Sequence, residues 1–531
     1  MFTLATILDN PGEPPADTRY RDVNLLRQMG YDGVAIYGST GLSGLLGPDT
    51  PATAEMRQWV GELYEQVETR VADARRAGLD VWLTFDAPSL ARELVGSAMT
   101  CQGNAAVLCP ASYELLEMCA QSLEGLLARI SDVEGIVLRL GDNDAHRIPY
   151  LTGNDIYSPR CSRCGGMNRV HRLDRFIRFF YDLVVGKLGR KLMVRGWNVK
   201  PGGLHDQPEV CRQLMNLLPQ DERLIFSFKF THTDFWRYQQ WNPSSLACGD
   251  RPIVYELECQ REFEGKGAVP NYQAGLWRDG MPEMPEPIGL AEASRRTNLV
   301  GLWAWVRGGG WGGPYITRDT EMWIDANVAA VPRLAADPSV ETAELADEWI
   351  ADRLKCRDAG CADALRHCLL DSPQMCLEAF YIGPFARGRR DPWYPAGNFI
   401  EDDQIDAEAA WNVVQNLPAG ALDEVVTEKQ RATERVVAAA RAARQAADKI
   451  ASPLDEELLH SLDYSESLIR TLQDLVAGLV AYRRFRVQGD PSTARSAQQT
   501  FERCQSHWNH HQRFANLRGT ASAFRSDNLW D

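Results

Sequence analysis

Residues 2–38, FTLATILDNPGEPPADTRYRDVNLLRQMGYDGVAIYG, contain the pattern that decides the fold of this chain. A short apolar run rich in β-formers leads into a polar loop, an amphipathic stretch with helical spacing and a second apolar run. Two parallel strands joined in this way need a crossover connection, which is usually a helix. The order of elements therefore predicts an α/β fold built from parallel strands.

The same alternation continues through roughly the first 330 residues, mostly with helical stretches between the apolar runs. The predicted strands are 2–9, 33–38, 80–86, 135–142, 191–198, 223–230, 252–258 and 299–308. Eight such units predict a (β/α)8 barrel, the TIM barrel, over residues 1–335. A doubly wound sheet is the alternative, and the absence of a G-x-G-x-x-G motif after the first strand disfavours it.

The character of the sequence changes after residue 335. Glycine becomes sparse, and residues 428–450, EKQRATERVVAAARAARQAADKI, consist mostly of strong helix formers. An apolar stripe at helical spacing then runs from Leu468 to Leu479. These features predict an all-helical C-terminal domain, residues 336–531, that packs on the barrel and would carry any homodimer contact.

Composition excludes several classes of function. The formal net charge of −15 disfavours nucleic acid as a partner, because an acidic surface repels phosphate backbones. No apolar stretch reaches the length of a membrane span, and the N-terminal residues lack the features of a signal peptide. The 13 scattered cysteines fit a reducing compartment. We therefore expect a cytoplasmic protein that does not bind membranes.

Ionisable and aromatic residues follow most of the predicted strands. In a (β/α)8 barrel the functional groups lie at the carboxyl ends of the strands, so acids after strands four, six and seven would meet around one opening. Paired carboxylates surrounded by Trp and Arg suit glycoside hydrolysis, in which one acid protonates the leaving oxygen and another activates water or attacks the sugar. The strand-end candidates are Asp142, Asp144, Arg195, Trp197, Lys229, His232, Asp234, Trp236, Glu256, Glu262, Arg307 and Trp311.

Residues 255–265, YELECQREFEG, resemble the strand-seven segment of family 67 glycoside hydrolases, the α-glucuronidases. The resemblance implies that Glu256 is a catalytic glutamate and Glu262 a second acid. The sequence departs from the family at Glu258 and Arg261, where the family has glutamines. We expect Glu258 and Glu264 to be solvated loop acids or ion-pair partners.

Further segments are similar to the same family. Residues 229–235, KFTHTDF, imply a base carboxylate at Asp234, and residues 192–198, LMVRGWN, imply that Arg195 faces the sugar carboxylate together with Lys229. Residues 301–315, GLWAWVRGGGWGGPY, occupy the place of the last barrel strand and its Trp-Gly loop.

The strand-four segment, residues 135–150 (GIVLRLGDNDAHRIPY), matches the family less closely. Arg139 takes the place of a lysine, and the general acid aligns with Asn143. The acid is therefore Asp142 or Asp144, and we favour Asp142.

The resemblance implies an inverting, exo-acting α-glucuronidase that removes a terminal uronic acid from oligosaccharides and uses no cofactor. In this scheme Asp142 donates the proton, while Asp234 and Glu256 flank the attacking water. The cations would bind the sugar carboxylate, a Trp would stack on the ring and His232 would bind a hydroxyl. Two alternatives remain: an enzyme for galacturonate or a neutral sugar, if the cations pair with protein acids, and a non-catalytic carbohydrate-binding barrel.

Cys161 and Cys164 form a C-x-x-C pair, which has the shape of half a zinc site. A structural zinc needs two more ligands. His171 is close along the chain, whereas Cys101 and Cys109 could approach only through folding. We expect free thiols in a long loop and no metal, with a structural zinc as the alternative.

Overall fold

The computed structural model describes residues 1–46, 53–101, 104–157, 159–310, 316–389, 393–397, 399–401, 404–451, 453–518 and 523–525. Eight parallel strands close into a barrel in chain order, with the last strand paired to the first. The strands are β1 (Phe2–Ile7), β2 (Gly33–Ile36), β3 (Asp80–Asp86), β4 (Gly135–Arg139), β5 (Lys191–Arg195), β6 (Leu224–Lys229), β7 (Pro252–Glu258) and β8 (Asn298–Arg307). The predicted fold class, a (β/α)8 barrel followed by a helical region, is confirmed.

Helices cover the outside of the barrel: α1 (Val23–Gln28), α2 (Ala54–Arg76), α3 (Tyr113–Arg129), α4 (Ser162–Gly165), α5 (Arg169–Tyr181), α6 (Pro208–Leu217), α7 (Ala274–Asp279), α8 (Leu290–Arg296) and α9 (Met322–Ala336). Local sequence sets their positions. In α2 the Thr53 hydroxyl accepts a hydrogen bond from the Met56 amide, and the helix buries Met56, Val60, Tyr64 and Val67 on one face. Between β6 and β7 the structure has only a short 3-10 turn, Ser245–Ala247, where the other connections carry an α-helix.

The strand register brings charged side chains to the same level at the carboxyl end of the barrel. Asp86 of β3 pairs with Arg139 of β4, which pairs with Arg195 of β5. Further round, Lys229 of β6 pairs with Glu256 of β7. Because neighbouring parallel strands end together, residues distant in the sequence form one ring of charge beneath the loops.

The C-terminal region consists of seven helices among the described residues: α10 (Thr342–Asp352), α11 (Ala359–Phe380), α12 (Gly383–Arg387), α13 (Ala407–Gln415), α14 (Leu422–Ala446), α15 (Leu454–Gln488) and α16 (Pro491–Arg518). The predicted stripe from Leu468 to Leu479 is buried in α15. We expected this region to be all-helical, but it also holds a small sheet formed by Ile400–Glu401, Gln404–Asp406 and Ala523–Arg525. Its buried apolar side chains continue the hydrophobic core of the barrel.

Within the described part of the chain, every helix is too short or too polar to cross a lipid bilayer.

Candidate active site

A cavity of about 190 Å³ opens at the carboxyl end of the barrel. Its walls come from loops after the strands and from one segment of the C-terminal region. The lining residues are Leu8, Asn10, Tyr37, Asp142, Asp144, Trp197, Val199, Lys229, Asp234, Trp236, Glu262, Phe263, Trp305, Gly309, Gly310, Trp393 and Tyr394. Four of them are carboxylates and one is a cation, so the cavity is acidic and rich in aromatic rings.

Arg139 holds the acids that follow β4. Its guanidinium lies 3.0 Å from Asp86 Oδ1, 3.0 Å from Asp144 Oδ2 and 3.3 Å from Asp142 Oδ2. The Tyr37 hydroxyl donates a 2.5 Å hydrogen bond to Asp144 Oδ2, and the Arg139 guanidinium lies 4.6 Å from the centre of the Tyr37 ring. Arg139 is buried, so it orients Asp142 and Asp144 from behind the cavity.

Asp142 is an ionised carboxylate in these surroundings. Burial favours its neutral form, but Arg139 and Arg195, which donates a 2.8 Å hydrogen bond to Oδ2, outweigh burial and hold its pKa well below the usual value. A group with a lowered pKa is a poor proton donor near neutral pH. These surroundings therefore disfavour the predicted general-acid role of Asp142 and suit a nucleophile or an electrostatic stabiliser.

Glu256 lies behind Arg195 and does not line the cavity. Arg195 Nε donates to both Glu256 oxygens at 3.1 and 3.0 Å, and the Ser227 hydroxyl donates to Oε1. Both Arg195 and Glu256 are buried. The structure thus places the predicted catalytic glutamate in an ion pair that fixes Arg195 against Asp142.

Lys229 and Asp234 form an ion pair at the cavity surface. The ammonium lies 4.0 Å from the centre of the Trp197 ring and 4.5 Å from that of Phe235. Aromatic faces stabilise a cation, so Lys229 is held in place by both a carboxylate and a cage of rings. Its charge is consequently neutralised within the protein.

Glu258 and Glu262 approach the cavity beside Gly309. A Cβ atom at position 309 would fall 2.8 Å from Glu258 Oε1 and 3.1 Å from Glu262 Oε2. Burial raises the pKa of Glu258 to about 8, although Arg261, 3.7 Å away, opposes the effect. Glu258 therefore holds a proton at neutral pH, directly behind the cavity-lining Glu262, whose amide donates to it at 2.8 Å.

The expectation that Glu258 and Glu264 are solvated is wrong, because both are fully buried. The alternative, that they are ion-pair partners, is confirmed for both: Arg261 lies 3.7 Å from Glu258 and donates to Glu264 at 2.9 and 3.1 Å. Tyr381 of the C-terminal region also donates to Glu264, at 2.7 Å. Arg261 outweighs burial and lowers the pKa of Glu264. Glu264 therefore anchors the loop after β7, whereas Glu258 and Glu262 face the cavity side.

Two pairs of stacked rings form part of the cavity wall. Trp197 and Trp393 are nearly parallel, with ring centres 5.9 Å apart, and Trp236 lies on Phe263 at 3.7 Å. The Trp393 indole donates to the Val199 carbonyl at 3.2 Å, which ties the C-terminal segment to the loop after β5. Flat apolar faces of this kind suit the faces of a sugar ring.

The structure brings together at the cavity seven of the predicted residues: Asp142, Asp144, Trp197, Lys229, Asp234, Trp236 and Glu262. Arg139, Arg195 and Glu256 lie one layer behind it.

Two other candidates lie away from the cavity lining. Arg307 binds Glu321 at 2.9 Å and the Ile316 carbonyl at 2.8 Å, and His232 Nε2 lies 3.4 Å from the Asp206 carbonyl oxygen. Trp311 lies outside the described residues.

Sequence reasoning missed Phe263 and did not assign Trp393 and Tyr394 to the site. The only signal for Phe263 in the sequence is that it directly follows the predicted acid Glu262. Trp393 and Tyr394 belong to the segment DPWYP, residues 391–395, which does not follow a barrel strand and so is not indicated by the strand-end rule. Cys161 and Cys164 do not line the cavity.

No known family model and no curated protein sequence matches this chain. The resemblance to family 67 therefore stays a prediction. Among solved structures, the chain is similar to a family 138 glycoside hydrolase that targets pectin rhamnogalacturonan II, with a TM-score of 0.60 and 12% identity. The match covers 98% of this chain and 63% of that chain, so this chain spans less than two thirds of that enzyme.

A mutant of the O-GlcNAc hydrolase of Thermobaculum terrenum is also similar, with a TM-score of 0.46 and 10% identity, over 96% of this chain and 89% of that chain. At 12% identity, the match to the family 138 enzyme shows a similar fold alone.

Proposed function

We propose that the protein is a glycoside hydrolase that removes a terminal sugar from an oligosaccharide. The observation that carries the proposal is the group of four carboxylates, Asp142, Asp144, Asp234 and Glu262, around one aromatic cavity at the carboxyl end of the barrel. Glycoside hydrolysis needs a proton donor and an ionised carboxylate on either side of the scissile bond. The glycosidase fold of the family 138 enzyme supports this class of reaction.

The proposed roles follow from the environments of the acids. Asp142, held ionised by two arginines, serves as the carboxylate that stabilises the developing positive charge on the sugar or attacks its anomeric carbon. Glu262 faces the cavity next to the protonated Glu258, so this pair supplies the proton to the leaving oxygen. Two acids with opposite environments match the division of labour that such enzymes require.

The charge of the cavity favours a neutral sugar over a uronic acid. Lys229 is paired with Asp234, and Arg195 is paired with Asp142 and Glu256. A sugar carboxylate would have to compete with these acids for every cation that the α-glucuronidase scheme assigns to it. We therefore place a neutral terminal sugar first.

A uronic acid is the second candidate, and one observation favours it. Arg195 Nη2 is buried and makes no hydrogen bond to any described residue, so one arm of this guanidinium has unused donor capacity. Lys229 also lines the cavity. A glucuronate or galacturonate carboxylate would bind Lys229 if Asp234 released it, and would also bind Arg195 if the cavity lining in front of that residue moved aside.

Matched aryl glycosides decide between the two sugars. The panel pairs glucoside with glucuronide and galactoside with galacturonide, all with the same para-nitrophenyl leaving group. We expect turnover of a neutral member to exceed that of its uronic partner. Faster cleavage of the uronic partner, lost in Lys229→Met, would establish the second candidate in place of the first.

Variants test the roles of the acids. We expect Glu262→Gln to lower kcat/KM by about 100-fold or more for a poor leaving group, and by less than about tenfold for a dinitrophenyl glycoside, which needs little protonation. Asp142→Asn should lower kcat/KM by a similar factor for both substrates. The exposed Glu222→Gln serves as the control. Binding of oligosaccharides without any hydrolysis would overturn the proposal in favour of a carbohydrate-binding barrel.

The stereochemical outcome needs its own measurement. Inversion, which the resemblance to family 67 implies, predicts that proton NMR detects the opposite anomer of the released sugar before mutarotation. Release of the same anomer would mean that a carboxylate attacks the sugar directly.

A further inference from the structure

Four cysteines from two separate loops meet away from the catalytic cavity. Cys101 ends the strand Thr100–Cys101 and Cys109 follows its partner strand Asn104–Leu108, both in the connection after β3. Cys161 and Cys164 lie at the start of α4, in the connection after β4. All four Sγ atoms lie within 4.8 Å of one another. Folding therefore supplies the two ligands that the C-x-x-C pair lacks in the sequence.

The distances between the sulfur atoms match a tetrahedron around a metal ion. Cys101 and Cys164 are 3.8 Å apart, Cys109 and Cys161 are 3.8 Å apart, and Cys161 and Cys164 are 3.6 Å apart. A zinc ion with four sulfurs at about 2.3 Å requires sulfur–sulfur edges of about 3.8 Å. A disulfide requires about 2.05 Å, and it would join two sulfurs and separate them from the other two.

The surroundings of the cluster stabilise negatively charged sulfur. The amides of Arg160 and Cys161 donate to Cys164 Sγ at 3.1 and 3.4 Å. Outer donors of this kind orient metal-bound ligands and offset their charge.

We propose that Cys101, Cys109, Cys161 and Cys164 bind a structural zinc ion. Each thiol that binds releases its proton to solvent, and the oxidation state of zinc does not change. Four protein ligands fill a tetrahedral site and leave no position for substrate, so the metal has no part in the hydrolysis. It joins the connection after β3 to the connection after β4, the same connection that begins with Asp142 and Asp144. The proposal replaces the expectation of free thiols without a metal.

Two other cysteine pairs provide matched controls. Cys211 and Cys248 have sulfurs 3.3 Å apart, and Cys356 and Cys361 have sulfurs 2.6 Å apart. Both pairs are buried, and among the described residues neither belongs to the four-cysteine cluster.

Metal analysis of the full chain, purified without chelators, tests the proposal. We expect about one zinc ion per wild-type chain, and less than about a tenth of that in the double variant Cys161→Ser/Cys164→Ser. The double variant Cys211→Ser/Cys248→Ser should retain the wild-type amount. A wild-type chain with no more zinc than the first double variant would overturn the site.

Two measurements on the wild-type chain avoid any dependence on how the variants fold. Protein produced with cobalt in place of zinc should show the intense visible bands of a tetrahedral tetrathiolate complex, and their absence would contradict the proposal. Thiol titration of the denatured, unreduced and metal-free chain should find all 13 cysteines. A shortfall that peptide mapping assigns to disulfides among Cys101, Cys109, Cys161 and Cys164 would also overturn it.

Discussion

Glu258 is the side chain whose charge depends most clearly on the fold. In the folded chain burial raises its pKa to about 8 from an ordinary value of 4.5, so it keeps its proton at pH values where an unfolded glutamate has lost it. Between those two values the folded state binds more protons than the unfolded state. The contribution of Glu258 to stability is therefore fully present below the lower value and is lost as the pH rises through the higher one.

This linkage predicts a flatter pH profile in Glu258→Gln, which cannot titrate. Between about pH 5 and 7.5 the free energy of unfolding of the wild type should fall more steeply than that of the variant, by up to about 1.4 kcal/mol per pH unit. Urea unfolding at several pH values measures both slopes. The exposed Glu222→Gln should keep the wild-type slope, and equal slopes for wild type and Glu258→Gln would mean that Glu258 is ionised in the folded chain.

Gly309 is a second residue whose identity affects the site, because even a single added Cβ atom would contact two acids. Its φ of +98° is strained for any other residue, and a Cβ would press on Glu258 and Glu262. We expect Gly309→Ala to lower kcat/KM by at least about tenfold, because the methyl group displaces the proton-donating pair. Gly78→Ala, with a φ of +77° and open space around its Cβ, has comparable backbone strain of about 1 kcal/mol without that contact.

Steady-state kinetics and thermal unfolding of Gly309→Ala and Gly78→Ala separate the effect of backbone strain from that of the contact with Glu258 and Glu262. Both should lose a few degrees of Tm, whereas only Gly309→Ala should lose activity. Equal activity in the two variants would show that the Glu258–Glu262 pair does not depend on the space above Gly309.

At the scale of elements, the barrel strands could be predicted because parallel strands are buried on both faces and appear as continuous apolar runs. All eight predicted strands are present, and β3 and β7 have the predicted bounds. The acids of the site could be predicted because the fold places functional groups at strand ends. The pairing of those groups could not, because Arg139 contacts Asp86 through the register of β3 against β4, and Arg195 of β5 contacts Glu256 of β7 only in the folded barrel.

The part of the C-terminal region that reaches the site was still harder to identify from the sequence. Trp393 contacts Val199 across 194 residues of sequence, and no local pattern encodes so distant a contact. The same holds for Cys101 and Cys109, which need the folded loops to reach Cys161 and Cys164. Local periodicity specifies elements, and only their packing specifies which loops meet.

The segment that carries Trp393 should contribute to substrate binding. Trp393→Ala removes one ring of the stack with Trp197, and we expect KM to rise by roughly 2- to 13-fold with little change in kcat. Trp411→Ala is the control, because Trp411 packs against Tyr482 within the helical region and does not line the cavity. Steady-state kinetics on the best aryl glycoside measure both. A KM in Trp393→Ala no higher than in Trp411→Ala would remove this segment from the site.

At the scale of the whole molecule, buried polar contacts join the barrel to the helical region. Asp325 of α9 accepts hydrogen bonds from Tyr20, from Trp349 of α10 and from Arg353 at the end of α10, at 2.9 to 3.0 Å. The α9 amide of Met322 donates to Glu457 of α15 at 2.9 Å. The apolar core is continuous across the same boundary. Neither part can unfold without leaving buried polar groups of the other unsatisfied.

These contacts predict a single cooperative unfolding transition for the full chain. Ten of the 15 tryptophans lie in residues 1–335, whereas the three longest helices, α14, α15 and α16, lie in the C-terminal region, so tryptophan fluorescence reports mainly on the barrel and far-ultraviolet circular dichroism gives more weight to the helical region. In Asp325→Asn we expect both midpoints in urea to fall together, because removal of one buried charge costs about 3–5 kcal/mol and leaves Arg353 without its partner. Asp319→Asn, an exposed acid nearby, should leave both midpoints unchanged. A variant in which one midpoint falls and the other stays would mean that the barrel and the helical region unfold independently, and that Asp325 stabilises only the part whose signal moved.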